Sequence, residues 1–299
     1  MHTKEVFHKS VLVNEVLHYL APQPHKTYLD ATFGGGGHTR AILDHEPQCS
    51  VIAVDWDKHA IERNAPALRD AYGERFRTMW GNFAHLYKLL KKEGISSVDG
   101  ILADFGTSQF QIHERAGFSF QTDSPLDMRM SPSHYHTTAA DILNQCDEKA
   151  LVEILQEYGE EPKSRTIARA IIEARKRTPF VTTGHLVRVI EEIFSVPAYK
   201  SHHGIHPATR TFQALRIAVN SELENIKIFL PAGIGFLNRG GRMVCISFHS
   251  LEDRIVKTFF KSHQDSCSIL TTKPVIATPE EVAANASSRS AKLRAAEKI

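Results

Sequence analysis

The run Tyr28-Leu29-Asp30-Ala31-Thr32-Phe33-Gly34-Gly35-Gly36-Gly37-His38 joins a strand end, a glycine turn and the start of a helix near Thr39. Four successive glycines remove every Cβ from the turn, so the backbone can fold tightly and a flat ligand can lie against it. At the spacing of nucleotide-binding βαβ units, about twenty residues on, the apolar run Val51-Ile52-Ala53-Val54 ends in Asp55. An acid there can accept hydrogen bonds from both hydroxyls of a ribose. A third run, Val98-Asp99-Gly100-Ile101-Leu102-Ala103-Asp104, leads into Phe105-Gly106-Thr107-Ser108. Ligands of open α/β sheets lie beyond the carboxyl ends of the strands, so Asp30, Asp55 and Asp104 are expected to line one rim.

The chemistry of that rim selects among adenosine cofactors. The dinucleotide fingerprint is Gly-x-Gly-x-x-Gly, and here Thr39 replaces its third glycine. Asp30 also stands ahead of the turn, and a pyrophosphate at a helix N-terminus favours bare N–H groups with no anion nearby. S-adenosylmethionine has no phosphate, and its sulfonium and ammonium groups favour a carboxylate. The turn therefore points to S-adenosylmethionine over a nicotinamide; a tight turn without a ligand is the plain alternative.

The elements that must carry these residues follow a βαβ rhythm over 28–105. Helical patterns at Thr39–Leu43, Lys58–Ala71 and Phe83–Lys92 separate the apolar strands, as in a parallel sheet. From about residue 137 strand patterns vanish. Thr138–Cys146, Lys149–Tyr158, Pro162–Arg177 and Thr183–Phe194 read as helices, with Pro162 in a first turn and Gly159 at a helix end. Lys163, Arg165, Arg169, Arg175, Lys176 and Arg177 face only Glu173, so this helix is either a solvated face or a track for a phosphate backbone. After Pro207 one long helix is expected. Phe212, Leu215, Val219, Leu223, Ile226 and Leu230 form its apolar stripe, and Arg210, Gln213, Asn220 and Glu224 its solvent- or site-facing side. Gly240-Gly241 then reads as a turn and Met243–Phe248 as a buried strand. Ser250 and Asp253 match a capping box for a helix carrying Ile255, Val256, Phe259 and Phe260. His249, at the strand end, is either a proton-handling or a structural histidine. Ser287–Arg294, small and basic, is either a disordered terminus or an RNA-contacting arm.

Composition sets outer bounds. The chain has 299 residues, 42% of them hydrophobic, enough for one large core or two domains. A net charge of +2 does not by itself call for nucleic acid. Cys49, Cys146, Cys245 and Cys267 lie far apart, suit a reducing compartment and suggest neither a disulfide framework nor a zinc site. His202, His203 and His206 have no Asp, Glu or Cys in their loop to complete a ligand set, and read as a polar loop. Met1–Glu5 has no apolar signal core and no stretch reaches the length of a membrane span, so a cytoplasmic protein is expected.

Several long runs together resemble one family. They are Asp30–Gly34 with Gly37-His38, Asp99–Asp104, Gly117-Phe118-Ser119-Phe120, Pro125–Met130, His206–Ala214 and Ser247–Arg254. The chain is similar to bacterial MraW/RsmH-type methyltransferases over nearly its whole length. That resemblance implies methylation of the N4 amine of a cytidine in 16S rRNA, at the decoding centre of the small ribosomal subunit, with S-adenosyl-L-methionine as cofactor. It implies a Rossmann-like α/β methyltransferase domain (1–136 and 206–299, with the basic tail) and an inserted all-helical substrate-recognition domain (137–205). It places cofactor contacts at Gly36, Gly37, His38, Asp55, Phe83, Asp104 and Gln111, with Asp55 on the ribose, Phe83 on the adenine face and Asp104 where donor meets base.

This sequence departs from the family pattern in places. Trp56 stands where the family has Arg, Phe105–Gln111 replaces Leu-Gly-Val-Ser-Ser-Pro-Gln, the link from Gln111 to Gly117 is one residue shorter, and Asn285–Arg289 lacks one arginine. Asp104 is the expected acceptor for the amine N–H or the group that orients it, and Phe105, Phe110 or Phe118 either stack on an unstacked base or pack in the core. Two rival readings stay open: a nicotinamide-dependent reductase, and a non-catalytic RNA-binding assembly factor on the same fold.

Overall fold

Strands that alternate their side chains between two faces need apolar cover on both. In the computed structural model, which describes residues 10–106, 115–194 and 206–299, that requirement organises the sheet. The chain runs through α1 (Val13–Leu20), β1 (Thr27–Asp30), α2 (Gly37–His45), β2 (Ser50–Asp55), α3 (Lys58–Tyr72), β3 (Phe76–Trp80), α4 (Leu86–Lys92) and β4 (Val98–Asp104). Helices α5 (Ala139–Gln145), α6 (Glu148–Glu157), α7 (Ser164–Arg177), α8 (Thr183–Phe194) and α9 (Thr209–Asn220) follow. Then come α10 (Glu222–Phe236), β5 (Leu237–Ser247), α11 (Ser250–Ser262), β6 (Cys267–Ile269), β7 (Val275–Ile276), α12 (Pro279–Ala284) and β8 (Lys292–Lys298).

The strands form one sheet in the order β3-β2-β1-β4-β5-β8-β6, with β7 also paired to β8. Strands β1 to β5 are parallel, and β8 runs antiparallel to β5. Leu29, Ile52, Ile101 and Met243 share one core with Phe229 and Leu230 of α10 and Val256 of α11. Tyr28, Val51, Leu102 and Val244 point the other way, into a core with Val16 of α1, Ile42 of α2 and Leu68 of α3. Successive residues thus serve opposite faces, as the period of two requires. The order reverses about β1, whose neighbours are β2 and β4, and the carboxyl ends there form the crevice in which such sheets bind ligands. This is the Rossmann-like α/β arrangement with an inserted all-helical unit that the sequence implied.

The chain divides into two units, Met1–Ser108 with Leu223–Ile299, and Gln109–Glu222. The helical unit is therefore wider than 137–205. Its core takes Leu126 and Met128 from before that range and Phe212, Leu215 and Val219 from after it, around Ile167, Ile171 and Leu186. The long helix expected after Pro207 is two helices, α9 and α10, broken at Ser221 in the left-handed region (φ 50°). The single apolar stripe splits accordingly. Phe212, Leu215 and Val219 pack in the helical core, while Ile226 and Leu230 pack under the sheet. The polar side of α9 is neither solvated nor site-facing throughout. Asn220 is fully buried, accepts the Met130 N–H (2.7 Å) and donates to the Met128 carbonyl (2.7 Å), so it braces the loop before α5.

Two further expectations are corrected. Gly240-Gly241 is not a turn: β5 runs through it, and the β4–β5 register jumps from Val98↔Leu237 to Gly100↔Arg242 across a bulge. The basic tail is not a loose terminus, because Lys292–Lys298 is an internal strand of the sheet. Its Arg294 is buried and holds Asp253 of α11 through two hydrogen bonds (2.6 and 3.1 Å), while Arg289 ahead of it is exposed. Small residues at Ala295 and Ala296, both fully buried, hide this strand from a reading based on large apolar side chains. Among the described residues no helix is long and apolar enough to cross a membrane.

Candidate active site

The glycine turn is held from three sides. Asp30 Oδ1 accepts the Thr32 N–H (3.1 Å) and its Oδ2 accepts the Thr39 hydroxyl (2.7 Å), which ties the end of β1 to the first turn of α2. Asp30 stands at the rim as expected, but its carboxylate is 1% exposed and braces the turn. Burial raises its pKa, against the pull of the Thr39 hydroxyl and of His38. Asn64 of α3 donates to the Gly34 carbonyl (2.9 Å). Gly36 caps α2 at φ +76°, where an L side chain is strained and a Cβ would meet the Phe33 ring at 2.9 Å. A Cβ at Gly37 would run into Ser10 Oγ.

Asp55 closes the next strand. Its Oδ2 accepts the Gly34 N–H and its Oδ1 the Asp57 N–H, both at 2.7 Å. Burial pushes its pKa up to about 7, against those two backbone hydrogen bonds. Each carboxylate oxygen keeps a second lone pair, so ribose hydroxyls can still be accepted. Asp57 caps α3 by accepting the His59 N–H (3.1 Å). Phe83 opens a single 3-10 turn, Phe83–His85, capped by Asn82. Its ring lies 6.4 Å from Trp56, 5.7 Å from Phe105 and 5.3 Å from Phe229, linking the rim residue after Asp55 to the core. Phe105 is 2% exposed and packs in that core, which removes it as a stacking partner for a base; Phe118 is half-buried.

Asp104 ends β4. Its N–H donates to Thr32 Oγ1 (2.7 Å), so the loop after β1 fixes the backbone that carries it. Sequence reasoning missed Thr32, although a hydroxyl residue two places after a strand-end acid is visible in Asp30-Ala31-Thr32. Asp104 Oδ2 lies 3.4 Å from His38 Nε2, and its Oδ1 is buried with no hydrogen-bond partner among the described residues. Beyond the end of β5, Phe248 packs on Gly106, where a Cβ would meet its ring at 3.0 Å. His249 is the N-cap residue of α11 and stands 3.3 Å from Glu252 Oε1 through Nε2. Glu252, not Asp253, caps that helix: its Oε2 accepts the Phe248 N–H (2.7 Å), while Asp253 is committed to Arg294. Gln111 and Phe110 lie outside the described residues, as do His202 and His203.

The structure thus brings Gly36, Gly37, His38, Asp55 and Asp104 to adjoining strand ends of one sheet. The model of the MraW methylase family matches residues 5–299. The chain belongs to the MraW methylase family. It is 45% identical over 315 residues to the ribosomal RNA small subunit methyltransferase H of Trichlorobacter lovleyi, covering 99% of each chain. The protein of that name from Geotalea uraniireducens is 47% identical over 311 residues, covering 98% of each. That from Deinococcus deserti is 46% identical over 297 residues, covering 99% of this chain and 95% of its relative. For this methylase the rival reading as a nicotinamide-dependent reductase is set aside.

The helical unit sorts its charges. Arg175 donates to the Leu143 and Cys146 carbonyls (2.8 and 2.7 Å) and so serves the fold. Arg169 pairs with Glu148, Lys176 with Glu173, and Lys163 lies over the Phe194 ring. Arg165 and Arg177 are exposed. His206 accepts the Ala208 N–H at Nδ1 (3.1 Å), stands 3.4 Å from Glu191 and packs its ring at a tilt against Phe120 (4.8 Å), which makes it an anchor for the start of α9.

Proposed function

We propose that this chain uses S-adenosyl-L-methionine to methylate the N4 amine of a cytidine in the decoding centre of 16S rRNA, acting on RNA within the small subunit in the cytoplasm. The helical unit serves as its substrate-recognition module. The observation that carries the reading is Asp104: a strand-end carboxylate fixed through its backbone, with one buried oxygen left without a partner among the described residues. An unpaired buried carboxylate oxygen is costly, and a cationic or N–H-bearing ligand satisfies it. Gly36 and Gly37 keep the turn tight, since a Cβ at either would collide with Phe33 or Ser10. The names of the relatives support RNA of the small subunit as substrate.

When bound, S-adenosylmethionine supplies a methyl group activated on a sulfonium. The protein's part is alignment, worth up to roughly 7–11 kcal/mol for well-oriented reactants. Gly36 and Gly37 admit the cofactor, Asp55 holds its ribose, Phe83 supports the adenine, and His38 and Gln111 complete the contacts. Cytosine N4 is a poor nucleophile because its lone pair is delocalised into the ring. Asp104 Oδ1 accepts its N–H, localises that pair and takes up the proton as the amine is methylated. The base reaches this point only when unstacked. Incubation with labelled S-adenosylmethionine and small subunits lacking the modification is expected to label 16S rRNA. RNA binding without label in any assembly state would identify the non-catalytic assembly factor instead.

The Asp55 role has its own pH signature. A neutral carboxyl accepts hydrogen bonds more weakly than a carboxylate, so binding must displace the proton that burial favours. Affinity for S-adenosylhomocysteine is therefore expected to rise as pH increases toward about 7 and to level off above it. Calorimetric titration across that range checks this. Asp55→Asn should bind weakly with that rise removed; an unchanged profile in the variant would refute the ribose role.

A further inference from the structure

Three buried polar atoms of the neighbouring side chains His38 and Asp104 have no hydrogen-bond partner among the described residues: Nδ1 and Nε2 of His38 and Oδ1 of Asp104. His38 belongs to the first turn of α2 and is 5% exposed. Its Nε2 lies 3.4 Å from Asp104 Oδ2, within ion-pair distance but without hydrogen-bond alignment. Both groups are set by backbone. The Gly36 cap starts the helix that carries His38, and Thr32 grips the N–H of Asp104. Hydrogen bonds at catalytic sites are commonly long without substrate and tighten once it is bound.

We propose that His38 is a positioning residue for methyl transfer, holding a proton on Nε2 against Asp104 Oδ2 so that Oδ1 alone faces the incoming amine. The inference rests on the reading of Asp104 as the amine's acceptor. A carboxylate free to rotate would offer either oxygen. One pinned by a charge-assisted hydrogen bond presents a single acceptor in a fixed direction. The charged groups around the imidazole favour this. Burial works against a charge on His38, but the Asp104 carboxylate, with Asp30 of β1 and Glu281 of α12 adding to it, raises its pKa. Glu281 is itself held in place by accepting the Leu12 N–H at the start of α1 (2.7 Å).

The pairing is read in the protein without substrate, by titrating labelled histidine side chains by NMR and assigning His38 through its absence in His38→Gln. Its resonance is expected to titrate above the ordinary histidine range in the wild type. In Asp104→Asn it should move below that range, because burial then dominates. Kinetically, His38→Leu is expected to lower kcat about 10- to 100-fold, the worth of one hydrogen bond to a charged group, over and above any rise in KM for the donor from the lost cofactor contact. His38→Gln, which still offers an N–H, should recover most of that loss, and His38→Leu should add little in an Asp104→Asn background. A His38 titration unmoved by Asp104→Asn, or a loss in His38→Gln equal to that in His38→Leu, would overturn the pairing. Neither result touches the proposed reaction, which is tested separately by whether the wild type puts label on the N4 amine of a cytidine in RNA.

Discussion

Asp104→Asn is expected to lower the single-turnover rate of methyl transfer by about 10²–10⁴-fold, the range for loss of a positioned proton acceptor. The substitution keeps the size of the side chain and its backbone anchor, since the bond from the Asp104 N–H to Thr32 Oγ1 is untouched. What changes is the buried Oδ1. In the proposed reaction it accepts the amine N–H and receives its proton as a carboxylate oxygen; an amide at that position accepts more weakly or, flipped, presents a donor to a donor. Affinity for S-adenosylhomocysteine should fall far less than the rate, because Asp55 and the glycine turn still hold the cofactor. Single-turnover kinetics beside calorimetry separate the two. A variant with near-normal rate, or one whose entire defect is loss of cofactor binding, would remove Asp104 from the transfer step.

Arg294→Ala is expected to destabilise the sheet-bearing unit by about 3–5 kcal/mol, the cost of stranding one member of a buried ion pair. Arg294 is 6% exposed and its guanidinium meets both oxygens of Asp253. The pair fastens α11, which begins beside the rim, to the strand next to β5. Removing both partners should cost less than removing Arg294 alone, since no buried charge is then left over. Urea unfolding of Arg294→Ala, Asp253→Ala and the double variant measures this. A midpoint for Arg294→Ala matching the wild type would mean that the pair contributes nothing to stability.

The features legible in the sequence were those that local rules enforce. A glycine run after Asp30, an acid closing the run Val51–Val54 and another closing Ile101–Ala103 are chain-local facts, and the parallel sheet places all three at its carboxyl ends. What stayed hidden depends on tertiary partners. Local partners separate Asp30 from Asp55: both end strands, yet Thr32 and Thr39 commit the first to bracing the turn. The apolar stripe from Phe212 to Leu230 keeps helical spacing across a left-handed Ser221, so periodicity alone could not show that it feeds two cores. Edge strand β3, Phe-Arg-Thr-Met-Trp, carries too few buried apolar residues to announce itself, and β8 buries Ala295 and Ala296, small residues whose burial only the finished sheet creates. The basic tail misled because the charge of Arg294 suggested solvent, when its partner lay 41 residues earlier in the chain.

The measurement that tests the central claim most directly is chromatographic separation of the nucleosides from small-subunit RNA after transfer of an isotopically labelled methyl group, with mass spectrometry to locate it. An amine accepted by Asp104 Oδ1 predicts the label on the exocyclic nitrogen of one cytidine, present with wild type and lost with Asp104→Asn. Label on a ring carbon or a ribose oxygen, or on N4 at an undiminished rate in Asp104→Asn, would contradict it.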